Sequence, residues 1–264
     1  MDFTLTDEAR DLAALTRDLA ASGRRLWPAL ADAGVLAAAL PERAGGEGYG
    51  LIEQCAILIE LGRAAADVPY LSSIVGAASA IARFGTEEQV ATLAVPAGQG
   101  RLVLTAAQAP DGPDATAWLA AHTTVGACAA QLGVVERALE MTAEYARSRV
   151  QFGRPIGSFQ AVTQRLADAY LDVEGLRLAL WQAACRPGRA EVATAGFWAA
   201  EAGHRVLHTA VHVHGGVGLD LDYPLHRYFL AAKHHEFLLG GATRQLLDLA
   251  GTFPTELEHV TVQG

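Results

Sequence analysis

The sequence is poor in the features that mark secreted proteins. Its 264 residues include only three cysteines, Cys55, Cys128 and Cys185, which are far apart and set in apolar surroundings. A disulfide framework is therefore not expected, and this cysteine usage predicts a reducing, cytoplasmic location. The residues Met1 to Thr4 are acidic and polar, so a signal peptide is not expected there.

Basic runs and long apolar runs are also missing. The formal net charge is −9 and no long Lys/Arg run occurs, so neither nucleic acid nor an anionic membrane surface is an expected partner. The segment Leu119 to Val135, within the longest uncharged run, includes the polar residues His122 and Gln131. This composition favours a buried core helix over a membrane-spanning helix.

Several catalytic motifs do not occur. The chain contains no Gly-x-Ser-x-Gly nucleophile elbow, no Walker loop and no Rossmann fingerprint. The glycine-rich segment Gly45 to Gly50 does not join a strand to a helix, which is the context that phosphate-binding glycine motifs require. These absences argue against serine-hydrolase, P-loop and Rossmann-type enzymes.

Histidines form one pattern that could belong to a metal site. His204, His208 and His212 recur every four residues on one predicted helix, and Glu201 with His204 forms a Glu-x-x-His pair. Di-iron helical bundles use two such pairs with two further glutamates on facing helices, and no second pair lies on a predicted helix of this chain. We interpret the pattern as a structural stripe at a helix interface and predict no metal.

The residues that are present predict an all-α protein. Apolar residues make up 51% of the chain, alanine and leucine dominate, and runs of β-branched residues are short. A strand is predicted only at residues 101–106. Helices are predicted over residues 6–23, 24–33, 51–66 and 72–85, from a Thr86 capping box onward, and over residues 122–148, 159–185, 190–213, 224–234 and 241–251.

These elements predict four parts of the chain. Residues 1–107 form an N-terminal helical domain, and residues 108–121 form a linker rich in turn-forming residues. Residues 122–252 form an up-and-down bundle of four or five helices, and residues 253–264 form a loose tail.

Three blocks of sequence, in order, carry a family resemblance. The clearest is YARSRVQFGRPIGSFQAVTQRLAD, from Tyr145 to Asp168, followed by HVHGGVG, from His212 to Gly218. Upstream lies a third block, which comprises Leu26, Trp27, Leu30, Gly34, Pro41, Glu42 and the segment 45–48. Together the blocks resemble the acyl-CoA dehydrogenase family and span nearly the whole chain.

The resemblance implies a role for the chain in binding FAD. In the family, the helix turn near residue 150 and the glycine turn near residue 215 hold the adenosine and pyrophosphate end of the FAD of a neighbouring subunit. The residues at the matching positions are Arg149, Gln151, Phe152, His212, Gly215 and Gly216. Their chemistry agrees, because guanidinium groups bind phosphates by paired hydrogen bonds and glycine lets backbone N–H groups approach them.

Two features of the family are missing from this sequence. The linker is too short for the β-domain that normally separates the helical halves, since a β-domain needs several strands of five or six residues. The carboxylate base that removes the substrate's α-proton is also missing. One family position for this glutamate matches Leu239, and the alternative position matches Thr123. Glu236 is the one displaced candidate.

The chain therefore keeps the residues that a family subunit contributes to its neighbour's FAD site. It lacks the β-domain and the carboxylate base that a subunit uses in its own active site. We predict a non-catalytic subunit of an FAD-dependent acyl-CoA dehydrogenase, paired with a full-length subunit. Two-subunit family members of this kind are known in actinobacterial breakdown of steroid side chains. The alternatives are a flavin-free structural partner protein, or a divergent desaturase that acts alone with Glu236 as base.

Overall fold

The computed structural model describes residues 5–253 of the chain and confirms the all-α prediction. Within that range the strands are β1 (Val150–Gln151) and β2 (Arg154–Pro155), paired antiparallel with Val150 opposite Pro155. Met1 to Thr4, where a signal peptide was not expected, and residues 254–264 of the predicted tail lie outside the described residues.

The N-terminal helical group contains seven short or medium helices. They are α1 (Asp7–Ala21), α2 (Leu26–Asp32), α3 (Val35–Ala38), α4 (Leu51–Arg63), α5 (Ser79–Phe84), α6 (Glu87–Gln89) and α7 (Val95–Gly98). A π-helix, Tyr70–Ala78, leads directly into α5, and a second one, Val90–Ala94, joins α6 to α7. Short 3-10 turns cover Glu42–Ala44 and Ala106–Gln108.

The C-terminal half is a bundle of five helices. They are α8 (Pro113–Ser148), α9 (Gln160–Cys185), α10 (Arg189–His214), α11 (Leu225–Leu238) and α12 (Gly241–Ala250). Further 3-10 turns cover Ile156–Ser158 and Gly215–Leu219. Helix α8 is central, because it packs against α4, α9, α10 and α11.

Glycines bring α4 and α8 into close contact. A β-carbon on Gly62 would overlap the carbonyl oxygen of Ala130, and one on Gly133 would overlap that of Ile59. Arg63, at the end of α4, then binds Glu136 and Glu140 of α8, each at 2.8 Å. The two halves of the chain therefore share one continuous core.

The long apolar helix α8 lies inside this core. By length and composition alone, it is the one helix among the described residues that could cross a membrane. However, 61% of its most apolar stretch is buried within the protein. That burial is typical of a core helix, as the sequence predicted for Leu119 to Val135.

Three local predictions were wrong. Residues 101–106 are not a strand: Leu104 donates its N–H to the Ser73 hydroxyl at 3.0 Å, and no strand pairs with this segment in the described part of the chain. The helix predicted over residues 72–85 begins earlier, at Tyr70, as a π-helix. Helix α8 begins at Pro113 rather than His122, so the helix includes much of the predicted linker. The domain boundaries themselves stay predictions.

Ala65 occupies a backbone conformation that favours glycine. It follows α4 with φ of 45°, and the N–H of Ala66 closes the turn on the carbonyl of Leu61 at 3.0 Å. We expect Ala65→Gly to raise the free energy of unfolding by about 0.5–1 kcal/mol, because the strain of the left-handed residue disappears. Urea denaturation measures this. The control Ala64→Gly should be destabilising, since Ala64 has an ordinary φ of −82°.

A buried polar network joins three helices of the bundle. Gln131 on α8 is fully buried, and its amide nitrogen donates to the carbonyls of Ala199 at 3.2 Å and Ala232 at 3.3 Å. The Gln131 side-chain oxygen lies 3.0 Å from Nδ1 of His235 on α11. The pKa of His235 is lowered to about 4, first by burial and then by the charge of neighbouring His234.

This network predicts acid sensitivity. Since the pKa of His235 is lower in the folded than in the unfolded chain, the unfolded chain binds the proton more readily between pH 6.5 and about 4. Stability is therefore full above pH 6.5 and falls on acidification through that window, by at most about 3 kcal/mol from this residue. Denaturant titrations at several pH values give the free energy of unfolding as a function of pH. For His235→Gln, the slope of this dependence between pH 6.5 and about 4 should be shallower than for the unsubstituted chain. An unchanged slope would contradict the assignment to this residue.

Candidate functional site

The predicted cofactor residues begin at a tight hairpin after α8. The hairpin closes where the N–H of Ile156 donates to the carbonyl of Arg149 at 2.8 Å. At its tip, Phe152 and Gly153 have φ of 53° and 80°. Gly153 tolerates this geometry, but phenylalanine does so only at an energetic cost. Phe152 is nevertheless 92% exposed, so burial of its own ring does not account for the strained position.

A cavity of about 280 Å³ lies beside this hairpin and contains three of the predicted residues. Gln151 and Phe152 line it from the hairpin, and His212 lines it from the last turn of α10. The fold thus brings together two sequence blocks that are 60 residues apart. Arg149 does not line the cavity. It lies at the base of the hairpin, and its guanidinium makes no ion pair within residues 5–253.

Sequence reasoning missed three further residues at this site. Phe159 and Arg165 line the same cavity, and Arg165 also lines the adjoining cleft between α9 and α10. The guanidinium of Arg154 lies 4.1 Å from the Phe159 ring centroid, and the Phe152 ring meets Phe159 edge to face at 6.1 Å. Val162 and Arg165, three residues apart on one face of α9, both line the cavity.

The glycine turn lies at the end of α10. Gly215 has φ of 64°, and a β-carbon added to Gly215 or Gly216 would meet no atom within 4 Å. The turn is anchored by the buried His214, whose ring stacks on Tyr145 at 4.3 Å and whose Nε2 lies 3.1 Å from the Tyr223 hydroxyl. Burial lowers the pKa of His214, so the ring is neutral near pH 7. Because Tyr145 belongs to α8, the anchor ties the turn to the helix that carries the hairpin.

These residues fit one end of a dinucleotide such as FAD. The exposed ring of Phe152 and an open glycine turn suit a purine and a pyrophosphate, as do the guanidinium groups of Arg149 and Arg165, which form no ion pair among residues 5–253. The cavity is smaller than a typical pocket for a drug-sized ligand, about 300–1,000 Å³, and FAD is larger still. The described residues therefore fit the adenosine and pyrophosphate end, while the rest of such a ligand would extend beyond the chain.

Both positions expected for a catalytic base carry residues that cannot act as one. Leu239 ends α11 and is 4% exposed, and its carbonyl accepts a hydrogen bond from the buried side chain of Gln245. Thr123 donates its hydroxyl to the carbonyl of Leu119 within α8 at 2.6 Å. Neither side chain ionises near neutral pH.

Glu236, the displaced candidate, is already engaged. Its carboxylate lies 2.6 Å from the Lys233 ammonium and 3.4 Å from Nδ1 of His204. His204 and His208 of the predicted stripe lie close together, with ring centroids 4.4 Å apart. Burial and the neighbouring cations lower the pKa of His208. Across residues 5–253, no group of three or more histidine, cysteine, aspartate or glutamate residues is placed to hold a metal ion.

The fold and the site define a class of protein: two helical domains of the acyl-CoA dehydrogenase type, joined without a β-domain. Two family models match the chain, the acyl-CoA dehydrogenase N-terminal domain over residues 4–100 and the C-terminal domain over residues 111–252. Only residues 101–110 lie between the two matches, and they cannot form the middle domain.

Comparison with individual proteins agrees. The acyl-CoA dehydrogenase FadE27 of Mycobacterium tuberculosis is 41% identical over 93% of this chain and 97% of its own length. The alignment runs over 361 residues, so the relative contains a long segment with no counterpart here. A chain of the ChsE4–ChsE5 complex from Mycobacterium tuberculosis superposes with a TM-score of 0.92 and 40% identity, covering 96% of this chain and all of that one.

A third similar protein is a variant of the Tcur3481–Tcur3483 steroid acyl-CoA dehydrogenase. One of its chains superposes with a TM-score of 0.86 and 31% identity, over 94% of this chain and 98% of that one. The chain therefore belongs to the acyl-CoA dehydrogenase family, whose members are oxidoreductases, and it has homologues in heteromeric complexes.

Proposed function

We propose that this chain is the non-catalytic subunit of a heteromeric, FAD-dependent acyl-CoA dehydrogenase. In that assembly it binds the adenosine and pyrophosphate end of the FAD held by a full-length partner subunit. When bound, the flavin supplies the hydride acceptor for α,β-desaturation of an acyl-CoA thioester. The partner contributes the β-domain and the carboxylate base.

The main support for the proposal is that the chain retains residues expected at a neighbouring subunit's FAD and lacks a base for chemistry of its own. Gln151, Phe152 and His212 converge on one cavity beside an open glycine turn. On the side where the chain would perform its own chemistry, Leu239 and Thr123 occupy the base positions. A subunit that bound only its own flavin would have no use for this arrangement without the β-domain.

Exposed apolar side chains border the proposed site and support a protein partner there. Phe152 is 92% exposed at the hairpin tip, while Leu219 and Leu221 are 68% and 76% exposed just after the glycine turn. On the outer face of α9, Tyr170 and Leu171 are 57% and 65% exposed. Clusters of exposed apolar residues are typical of protein interfaces, and a partner subunit would cover them.

The relatives suggest the substrate class. One of the most similar structures is a steroid acyl-CoA dehydrogenase made of two named components, and another is the ChsE4–ChsE5 complex. By likeness to the steroid enzyme, we propose that the substrate of the assembly is the CoA thioester of a steroid side chain.

Coexpression tests the proposal. The tagged chain is expressed alone, and separately together with a full-length acyl-CoA dehydrogenase subunit from the same organism. We expect a stable complex with fewer flavins than subunits, identified by its flavin absorbance, and no dehydrogenase activity for the chain alone. A homodimer of this chain that binds FAD and oxidises acyl-CoA unaided would overturn the proposal, and a complex without flavin would favour the structural-partner alternative.

Glu236→Gln distinguishes the remaining alternative. Because Glu236 is bound by Lys233 and His204, we expect the complex carrying this variant to keep its activity within about twofold. If Glu236 were the base, its loss would remove proton abstraction and cost about 100-fold or more in kcat. Asp248→Asn, a change to another ion-paired acid, is the matched control.

A further inference from the structure

A second cavity lies apart from the hairpin and the glycine turn. It occupies about 550 Å³ between α4, α8 and α11, within the size range of pockets that bind small ligands. Its walls are mainly apolar, from Leu58 and Leu61 of α4, Leu71 of the π-helix and Val134 of α8. The proposed function makes no use of this cavity.

Small residues create the space. Ala66, Ala130 and Ala231 line the cavity where larger apolar residues would fill it. At the rim, Leu230 is 63% exposed, which leaves an apolar side chain available to a bound molecule.

Hydrogen bonds hold the α11 wall of the cavity in place. The Tyr228 hydroxyl donates to the carbonyl of Arg63 at 2.7 Å, and the Arg227 guanidinium donates to the carbonyl of Ala65 at 3.2 Å. On the inner side, His235 is fixed by its contact with Gln131. The cavity is therefore already formed in the folded chain and does not require α11 to move.

The polar groups of the lining select the head group of a ligand. Arg227 uses one N–H on Ala65 and makes no ion pair with any residue of the described range 5–253, so further guanidinium donors are free. His234, on the same helix as Arg227, also lines the cavity. Asp67 is the one carboxylate among the described residues of the lining. Guanidinium donors bind a carboxylate by paired hydrogen bonds.

We propose that this cavity binds an apolar carboxylic acid, with its hydrocarbon part in the apolar space bounded by α4, α8 and α11 and its carboxylate on Arg227. A fatty acid and a steroid acid share this chemistry. The site is independent of the proposed FAD-binding role and persists if that role is wrong.

Calorimetric titration of the purified full-length chain tests the site with decanoate, decanol, decylamine and lithocholate. We expect decanoate to bind about tenfold more tightly than decanol, since the ion pair adds to the same burial of the chain. Arg227→Gln should remove this difference and leave decanol binding unchanged. The ratio of lithocholate to decanoate affinity identifies which acid fits better. Tighter binding of decylamine, equal binding of acid and alcohol, or no binding of any probe would overturn the proposal.

Two cavity-filling variants locate the site. Ala231→Leu and Ala66→Leu, from different elements, should each weaken decanoate binding at least about tenfold, because the added side chain occupies the ligand's space. Two positions are used so that the misfolding of one leaves the other informative. The control Ala117→Leu lines a different cavity, beside Trp118, and should leave binding unchanged. Decanoate affinity that survives both filling variants would place binding elsewhere.

Discussion

Gly203→Ala should lower the free energy of unfolding by about 3 kcal/mol, although it adds a single methyl group to a helix. A β-carbon at Gly203 on α10 would overlap the side-chain nitrogen of Gln131, which is fully buried. Moving that side chain breaks its hydrogen bonds to Ala199, Ala232 and His235. The cost combines overpacking with buried groups left unpaired. The melting temperature should fall by roughly 6–12 °C.

A double-mutant cycle separates this clash from helix propensity. In a Gln131→Ala background the obstacle is gone, so adding Gly203→Ala should cost little or even stabilise, because alanine favours helix. Gly251→Ala is the control for the substitution itself, since a β-carbon there makes only ordinary contacts at 3.5 Å or more. Equal effects of Gly203→Ala in both backgrounds would show that Gln131 is not the constraint.

The same arrangement recurs two helical turns earlier on α10. A β-carbon on Gly196 would overlap the side chain of Gln245, which reaches from α12 and donates to the carbonyl of Leu239. The two glycines are seven residues apart and so share one helix face. The ends of α10 agree with the sequence-based prediction within one residue, yet nothing local in the sequence pairs a glycine with a distant glutamine.

Helices with a strong periodic pattern were predicted well, and the errors lie where local sequence is ambiguous. Pro113 and Asp114 start α8, with proline at the first position and an acid in the first turn. The same residues are frequent in turns, which led to the linker prediction. Around Val103, β-branched residues favour an extended backbone, but a strand also requires a partner. Here the partner is the Ser73 side chain, through Leu104.

The candidate site was predictable in composition but not in geometry. The family resemblance selected Gln151, Phe152 and His212, and the fold places these three around one cavity. Their role toward FAD stays a prediction. Arg165 was missed because its relevance arises from the packing of α9 against α10. The strained backbone of Phe152 could not be predicted either, because φ above zero at a phenylalanine is an exception to local preference.

Phe152→Gly should have opposite effects on the stability of the chain and on the affinity of the complex for its cofactor. At φ of 53°, glycine is relaxed where phenylalanine is strained, and the ring is 92% exposed, so the chain itself should be as stable or up to about 1 kcal/mol more stable. In the complex with the full-length subunit, flavin affinity should fall about five- to 150-fold, the value of one aromatic stacking contact on a base, about 1–3 kcal/mol. Flavin fluorescence on dilution of the complex measures this loss.

Two further variants assign that effect to the ring. Phe152→Tyr keeps an aromatic face at the same strained position and should retain flavin affinity within about threefold, since either ring can stack. Phe152→Asn suits the left-handed backbone without an aromatic ring and should behave like Phe152→Gly.

If all three variants retained flavin equally, the ring would not contact the cofactor. If Phe152→Gly lowered the melting temperature of the isolated chain, the edge-to-face contact with Phe159 would outweigh the backbone strain and Phe152 would be a structural residue. With the expected results, the strained and exposed Phe152 ring lowers the stability of the isolated chain and raises the flavin affinity of the complex. This behaviour is expected of a residue retained for another subunit's cofactor.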